Sequence, residues 1–208
     1  TSYAEQGGYS GYSYIRLRGI DQTRTTLTLD GIPLNDPEDE VFYFADLFDF
    51  MSSVQSVQIQ RGVGTSTNGT ASYGGSINFE SLSLTGTPAG GHVQLGAGDW
   101  NTGRASVDYA SGLLANRWAF YARASDQSTN SYREHAGDLS HSGFFSAGYF
   151  GDRNIVKITA TAGLEHSQLA YDAAAESTLV RDRRSNPLSP DERDDFGESL
   201  ASVVYTHL

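Results

Sequence analysis

The second half of the chain alternates apolar and polar side chains with a period of two, which is the pattern of a β-strand whose two faces meet different surroundings. In the segment RWAFYARAS, Trp118 and Phe120 share one face, and Arg117 and Arg123 share the opposite face. Comparable segments begin near residues 92, 104, 143, 154 and 199. The alternation therefore predicts about six antiparallel strands between residues 91 and 208.

Two architectures produce this alternation, a soluble β-sandwich and a transmembrane β-barrel. The lengths of the links favour the barrel, because a short LLAN and a short DR alternate with the long polar stretches 126–142 and 166–196. Outer-membrane barrels have short turns on one rim and longer loops on the other. The short DWNT link is an exception to the alternation. Since so few strands cannot close a pore, further strands are expected beyond Leu208.

In a barrel, the apolar face of each strand meets lipid and the polar face meets the lumen. The residues predicted to face lipid are Val107, Tyr109, Trp118, Phe120, Ala122, Val203 and Tyr205. The residues predicted to face the lumen are Arg104, Asp108, Arg117 and Arg123. The opposite facing is disfavoured, since a charge that faces lipid at the bilayer midplane costs about 2–4 kcal/mol.

The first 85 residues have a different pattern, with short strands separated by turns. YIRLRG and TTLTLDGIPL predict strands, and the second leads into an Asp30–Gly31 turn followed by Pro33. ADLFDFM predicts a short helix, VQSVQIQRG and GSINFES predict further strands, and TGTPAGG is typical of a linker. The sequence therefore predicts a mainly β protein: a mixed α/β domain over residues 1–85, then the first strands of a large, truncated antiparallel barrel over residues 91–208.

Composition narrows the classes of function. The chain has 23 Gly, 12 Tyr and 10 Phe but no Cys, which fits a β-rich protein with many turns and excludes a disulfide framework. Its net charge of −11 makes nucleic acid an unfavourable partner. The mean hydropathy of −0.40 argues against spanning helices but not against spanning strands. The start at TSYAEQGG, without Met or a leader, predicts a mature or truncated product.

Residues 61–81, RGVGTSTNGTASYGGSINFES, are rich in Gly, Ser and Thr. A phosphate-binding loop, a linker and the buried turn of a polar domain all have such a composition. No Lys follows the glycines and no helical pattern begins there, which disfavours a phosphate-binding loop. In a buried turn, Asn68 and the Ser and Thr hydroxyls would satisfy buried polar groups. Five glycines would allow sharp bends of the backbone there: Gly62, Gly64, Gly69, Gly74 and Gly75.

Four motifs, IRLRG, LTLDGIPL, VQSVQIQRG and ASYGGSINFES, resemble in order and spacing the plug domain of TonB-dependent outer-membrane receptors. The motif residues are Arg18, Gly19, Asp30, Gly31, Pro33, Arg61, Gly62, Gly74, Gly75 and Asn78. The residues of the last two motifs resemble those of receptors of the Bacteroidetes type. The sequence departs from the family pattern at Gln58, Gln60 and Val63, and no energy-coupling motif precedes residue 14.

The resemblance implies a plug seated in the lumen of a barrel in the outer membrane, surrounded by outer-membrane lipid. Arg18 and Arg61 resemble plug arginines that pair with barrel carboxylates, and a solvated charge at a strand end is the alternative for either residue. The implied function is active import, energised by a periplasmic TonB-type protein, with a ferric siderophore as the substrate. A glycan, cobalamin or haem remains an alternative substrate, and a surface β module that transports nothing remains an alternative function.

A ligand of such an importer would rest on the outward-facing apex of the plug. The resemblance places four residues at or near this apex: Asn35, Asp36, Tyr43 and Tyr73. An aromatic ring and a few polar groups could hold a siderophore there. Packing of Tyr73 against the barrel wall is the alternative for that residue.

Other polar residues carry weaker signals. Six carboxylates could attract a hard cation, although a solvated loop accounts for them better: Asp36, Glu38, Asp39, Glu40, Asp46 and Asp49. His135, His141 and His166 could bind iron, zinc or haem on outer loops, but their spacing defines no site. No nucleophile with its base is evident, so the sequence predicts no enzyme, no resident cofactor and no metal site.

Overall fold

A computed structural model describes residues 2–4, 11–62 and 73–208 of the 208-residue chain. The predictions for Gly64, Asn68 and Gly69 lie outside the described residues. Within the described part, the chain consists mainly of strands arranged in three sheets. No described helix has the length and apolarity needed to cross a membrane.

The strands fall into a short N-terminal group and a long C-terminal group. The N-terminal strands are β1 (Ser2–Ala4), β2 (Ser13–Ile15), β3 (Thr25–Leu29), β4 (Ile32–Pro33), β5 (Val54–Arg61) and β6 (Gly75–Ser81). The C-terminal strands are β7 (Gly90–Gly98), β8 (Thr102–Ala110), β9 (Trp118–Thr129), β10 (Asp138–Phe150), β11 (Asn154–Gln168) and β12 (Arg193–His207). The helical segments are two 3-10 helices, Gln22–Arg24 and Phe50–Ser53, and one α-helical turn, α1 (Glu176–Leu179).

Strands β3 to β6 form a mixed sheet in the order β4-β3-β6-β5, here called the plug sheet. β3 and β6 run parallel, whereas β4 and β5 pair antiparallel with their neighbours. Asp30 and Gly31 form the predicted turn with φ values of 51° and 83°, the left-handed values that a two-residue Asp-Gly hairpin favours. Alternate residues of β6 are buried, so Ile77 and Phe79 enter the core beside Leu29 of β3.

Strands β7 to β12 form a six-stranded antiparallel sheet in sequence order, here called the wall sheet. It is separate from the plug sheet, as predicted. The links 111–117 and 151–153 share one edge, the short-turn rim, and the links 99–101, 130–137 and 169–192 share the other, the long-loop rim. The link predicted over residues 126–142 is shorter than expected, because β9 and β10 pair as far as Thr129 and Asp138.

The wall sheet buries polar side chains and exposes apolar ones, which is the reverse of a soluble β-sandwich. Along β9, Arg123, Ser125 and Gln127 are buried, whereas Trp118 and Phe120 on the other face are exposed. Neighbouring strands bury further polar residues on the inner face: Ser106, Ser140, Ser146, Thr159, Thr161, Glu165 and Ser167. This polarity is that of barrel strands between a polar lumen and lipid, so the sandwich alternative is excluded.

Solvent exposure confirms most of the predicted facings. The residues predicted to face lipid are exposed, except Ala122, which is half-buried. Arg104, Asp108 and Arg123 lie on the inner face, with side-chain exposures of 31%, 10% and 5%. The period-two pattern therefore assigned both faces of the central strands correctly.

Two local predictions are wrong. Arg117 precedes β9 and pairs with Asp152 in an exposed contact at the short-turn rim, with Nη2 and Oδ2 3.7 Å apart, so strand alternation does not apply to it. The segment ADLFDFM forms turns followed by the 3-10 helix Phe50–Ser53, not an α-helix. Asp49 interrupts the helical path with a left-handed φ of 62°, a conformation that Asp tolerates better than most residues.

The hydrophobic core lies between the plug sheet and the inner face of the wall sheet. Phe50 of the plug packs edge-to-face on Phe79, with ring centroids 5.3 Å apart, and also contacts Phe42. Tyr121 and Phe144 of the wall belong to the same buried cluster. The plug is therefore seated on an apolar centre, and its polar contacts with the wall lie around that centre.

Candidate functional site

Asp49 of the plug binds two neighbouring strands of the wall. Its side chain is 2% exposed and accepts hydrogen bonds from Arg104, Arg123 and Ser125, with Arg123 Nε 2.7 Å from Oδ2. Burial alone would raise the pKa of Asp49, but hydrogen bonds from Ser125, Ser52 and Arg123 hold it below its ordinary value. Asp49 is therefore a buried, ionised anchor between plug and wall.

A second ion pair joins the plug hairpin to β11. Lys157 Nζ donates to Asp30 Oδ2 and to Ser81 Oγ, both at 2.8 Å. The Ser81 amide donates to the other carboxylate oxygen of Asp30 at 3.0 Å. Burial alone would raise the pKa of Asp30, but the hydrogen bonds from Lys157 and Ser81 keep it below its ordinary value. This motif residue thus serves both the turn and the wall contact.

The plug backbone approaches the wall closely at Gly163 of β11. A Cβ on Gly163 would lie 1.7 Å from the carbonyl oxygen of Asp46, so a side chain is excluded there. Asp46 and Glu165 are 0% and 1% exposed, and their carboxylate oxygens have no hydrogen-bond partner within the described structure. Burial, and then the charges of Glu165, Glu198 and Asp194, raise the pKa of Asp46 to about 7. Asp46 is therefore partly protonated near neutral pH.

An open pocket of about 780 Å³ lies at the long-loop rim, and plug and wall residues both line it. The plug side is formed by Tyr12, Tyr14, Asp36, Glu38, Asp39 and Tyr43. The wall side is formed by Leu169, Tyr171, Arg193, Asp194 and Phe196. The pocket combines aromatic rings with carboxylates. Because plug and wall residues both line it, a bound molecule would contact the plug and the wall together.

Two tyrosines tie this pocket together. The Tyr12 hydroxyl donates to the carboxylate of Asp194 on the wall, and the Tyr43 hydroxyl donates to Asp39 within the plug. The ring of Tyr43 lies 5.5 Å from that of Tyr12 and 6.2 Å from that of Phe196. Burial and the bond to Asp194 raise the pKa of Tyr12, and the bond to Asp39 and burial raise that of Tyr43. Both rings therefore stay neutral at physiological pH.

Of the four predicted ligand residues, Asp36 and Tyr43 line the pocket, whereas Asn35 and Tyr73 do not. Tyr73 is 53% exposed and lies beside Arg24 of the plug, whose guanidinium carbon is 5.7 Å from the ring centroid. The structure therefore brings together two of the four residues, and adds aromatic partners that the sequence did not indicate.

Asn35 is used to hold the plug loop in place. Its Oδ1 accepts from the amide of Leu27 at 2.7 Å, and its Nδ2 donates to the carbonyls of Thr25 and Glu40 at 3.1 and 2.8 Å. Because these bonds fix the start of the loop, Asn35 positions the adjacent Asp36 at the pocket.

The plug motif residues stabilise the plug sheet itself. Asn78 Oδ1 accepts from Thr28 Oγ1 at 2.6 Å and from the Gly31 amide at 3.3 Å. Gly75 has a φ of 144°, and a Cβ there would lie 2.4 Å from the carbonyl oxygen of Gln60. The remaining motif residues lie at turns or strand ends: Gly19, Gly62, Gly74 and Pro33.

Arg18 and Arg61 are exposed, and neither forms an ion pair with a wall carboxylate that the structure describes. The expected contacts occur with reversed polarity, because Asp30 and Asp49 of the plug meet bases of the wall. The sequence signal that could have predicted these contacts is the set of arginines on the inward face of the wall, since a buried base requires an opposing carboxylate.

The six carboxylates between residues 36 and 49 divide into an exposed set and a buried set. Four of them are exposed, as a solvated loop predicts: Asp36, Glu38, Asp39 and Glu40. For Asp46 and Asp49 that prediction is wrong, since both are buried against the wall. The cause is tertiary packing, which turns this part of the loop inwards.

Two of the three histidines considered from the sequence form separate pairs with carboxylates. His141 Nδ1 lies 2.6 Å from Asp126, and His166 Nδ1 lies 2.8 Å from Asp195. The carbonyl of His135 accepts a hydrogen bond from the side chain of Asn186 at 3.1 Å. Over the described ranges, no group of three or more His, Asp or Glu side chains is arranged to hold a metal ion.

Comparisons with known proteins agree with this architecture. Residues 1–76 match the family model described as TonB-dependent Receptor Plug Domain. A search of curated proteins found no match. Among solved structures, FpvA of Pseudomonas aeruginosa bound to a heterologous pyoverdine and iron is similar over 100% of this chain and 28% of its own, with 16% identity and a TM-score of 0.74.

Two further structures share the fold. The ferric citrate transporter FecA, without ligand, matches 100% of this chain and 33% of its own at 16% identity and a TM-score of 0.70. The ferric-catecholate import receptor Fiu of E. coli, in an open form, is similar over 98% of this chain and 32% of its own, with 15% identity and a TM-score of 0.69. This chain thus spans about a third or less of the length of these structures. Residues 1–76 thus match the plug domain of TonB-dependent receptors, and the described chain has the fold of a plug domain together with part of the barrel of outer-membrane receptors.

Proposed function

We propose that this protein is an active transporter that imports a ferric siderophore across the outer membrane, with a plug domain over residues 1–85 and barrel strands from residue 91. The observation that carries the proposal is the pocket at the long-loop rim, which plug and wall residues line together. Because both parts contact the same space, binding there can favour one position of the plug over another.

The geometry supports a plug that can be displaced without unfolding the wall. The plug has its own sheet, and the polar contacts with the wall described above involve Tyr12, Asp30 with Ser81, and Asp49. A periplasmic TonB-type protein would supply the mechanical work from the side opposite the pocket. Breaking a few ion pairs and the apolar contact would then open a path beside the wall.

Asp36 and Tyr43 are the proposed ligand contacts, and Asn35 is the proposed positioning residue. Tyr73 is proposed as a contact only for a ligand that extends beyond the pocket, because it lies outside the lining. The iron-complex class is supported by the aromatic rings and polar groups that line the pocket together, a combination that suits an organic chelate. The solved structures of similar fold are described as receptors or transporters of pyoverdine, ferric citrate and ferric catecholate.

Uptake measurements on the full-length receptor test the proposal. Cells that carry it as their only outer-membrane iron receptor would be given radiolabelled ferric pyoverdine, ferric citrate, a ferric catecholate and a ferric hydroxamate, with and without the TonB-type protein. We expect energy-dependent uptake of at least one complex. Failure to bind or import every complex, with the receptor correctly inserted, would contradict the assignment to iron.

A further inference from the structure

We propose that the pocket at the long-loop rim selects neutral or cationic ferric complexes, of the hydroxamate class, over anionic catecholate and citrate complexes. This inference rests on the proposed function. Four lining residues are carboxylates, Asp36, Glu38, Asp39 and Asp194, and Arg193 is the single base among the lining residues that the structure describes. A bound complex would therefore meet an excess of negative charge.

The contacts within the pocket preserve this excess. Asp39 and Asp194 accept hydrogen bonds from Tyr43 and Tyr12, which are neutral donors and cancel no charge. The positive charge of Arg193 is offset in part, since its Nε lies 3.4 Å from Oδ2 of Asp195. Glu38 is exposed at the pocket and adds its charge to the space a ligand would enter.

Among the residues that the structure describes, the arginines of the outer links do not supply positive charge to the pocket. Two arginines of the outer links are directed to backbone carbonyls: Arg133 Nη2 donates to Asp172 and Arg184 Nε donates to Tyr132, both at 2.7 Å. Arg181 and Arg183 do not line the pocket.

Ligand charge separates the classes of ferric complex. A ferric tris-hydroxamate is neutral, because each hydroxamate brings a single negative charge, and an additional ammonium group makes it cationic. A ferric tris-catecholate and ferric citrate are anionic, so the carboxylates would repel them. The rings of Tyr171 and Phe196 would cover the aliphatic links between hydroxamates, and a tyrosine face attracts an ammonium group.

Two ligands of the same shape and different charge test the inference on the full-length receptor. The probes are the ferric complex of a linear tris-hydroxamate that ends in an ammonium group, and the same complex after acetylation of that amine. Quenching of intrinsic fluorescence gives the two dissociation constants. We expect the ammonium complex to bind about tenfold more tightly, with the advantage declining at high salt.

Two variants should move this affinity ratio in opposite directions. Glu38→Gln should lower it about threefold and Arg193→Gln should raise it about threefold, the size expected for exposed charges. Asp152→Asn makes the same charge change as Glu38→Gln but at the short-turn rim, and should leave the ratio unchanged. Because a general loss of structure would weaken both probes alike, the ratio reports charge.

The outcomes distinguish the two proposals. Tighter binding of a ferric tris-catecholate than of either hydroxamate probe, or a ratio that neither variant changes, would overturn charge selection while leaving the transporter assignment intact. Absence of binding for every ferric complex would overturn the proposed function and this inference with it.

Discussion

Replacing Asp49 with Asn should loosen the plug from the wall while keeping the local backbone. Asn has nearly the same shape and tolerates the left-handed φ of 62° at this position. The substitution removes the charge that Arg104 and Arg123 share. Any loss of plug docking therefore reports the ion pairs and not a change in loop conformation.

The size of the effect follows from burial. Removing one partner of a buried ion pair costs about 3–5 kcal/mol, because the other charge stays buried. Arg123 is 5% exposed and keeps Asp108 at 3.6 Å and Ser106 at 3.1 Å, whereas Arg104 is 31% exposed and can be solvated. We therefore expect the lower end of this range, about 3 kcal/mol, which makes the undocked state about a hundredfold more populated.

A buried thiol can measure this population in the full-length receptor. Ser146 of the wall is 1% exposed and this chain contains no Cys, so Ser146→Cys, compared with the receptor that lacks the substitution, provides a defined site on the inner face. The rate of thiol modification should rise about a hundredfold when Asp49→Asn is added. Asp39→Asn, the same change at an exposed plug residue, is the matched control. A rate within about threefold of the parent would refute the role of Asp49 as an anchor.

The remaining predictions concern other plug contacts. Gly163→Ala should displace the plug and speed the same thiol modification, because its Cβ would lie 1.7 Å from the carbonyl oxygen of Asp46 in the plug. Gly143→Ala on β10 should resemble the parent, because its Cβ would lie 3.9 Å from the carbonyl oxygen of Arg123, an ordinary contact distance. Because the pKa of Asp30 is lowered, its contribution to the free energy of unfolding is present above its unfolded-state pKa and is lost as the pH falls through its folded-state pKa. Lys157→Met should therefore reduce the acid sensitivity of the guanidinium concentration at the midpoint of unfolding, between about pH 2 and 6. The pKa of Asp46 is raised to about 7, so the folded state holds this proton more tightly and docking weakens as the pH rises from about 4 to 7. Asp46→Asn should reduce that loss, and an unchanged pH profile would contradict the assignment.

The strands and turns could be predicted because their signals are local. Alternation at Trp118 and Phe120 fixed the facing of β9, and the Asp30–Gly31 pair fixed the hairpin by its left-handed φ values. The motif order similarly predicted the separate plug sheet. The local pattern gave the wrong facing for Arg117. Strand β9 begins one residue later, at Trp118, so Arg117 lies outside the strand and does not follow its alternation.

The plug–wall contacts could not be read from the neighbourhood of each residue. Asp49 meets Arg123 across 74 residues, and Asp30 meets Lys157 across 127. Within the sequence, Asp46 and Asp49 look like members of an exposed acidic run, and only the docking of the plug removes them from water. Arg18 and Arg61 matched a family motif, yet the charges of the contact are carried by other residues.

The sequence by itself determined the two kinds of sheet and the polarity of the wall, since both depend on residues within a few positions of one another. Tertiary structure decided which carboxylates are buried, which glycine the plug backbone touches, and which tyrosines from plug and wall meet at one pocket. The physical reason is that burial and ion pairing depend on distance in space, and docking two sheets brings together side chains that no local pattern relates.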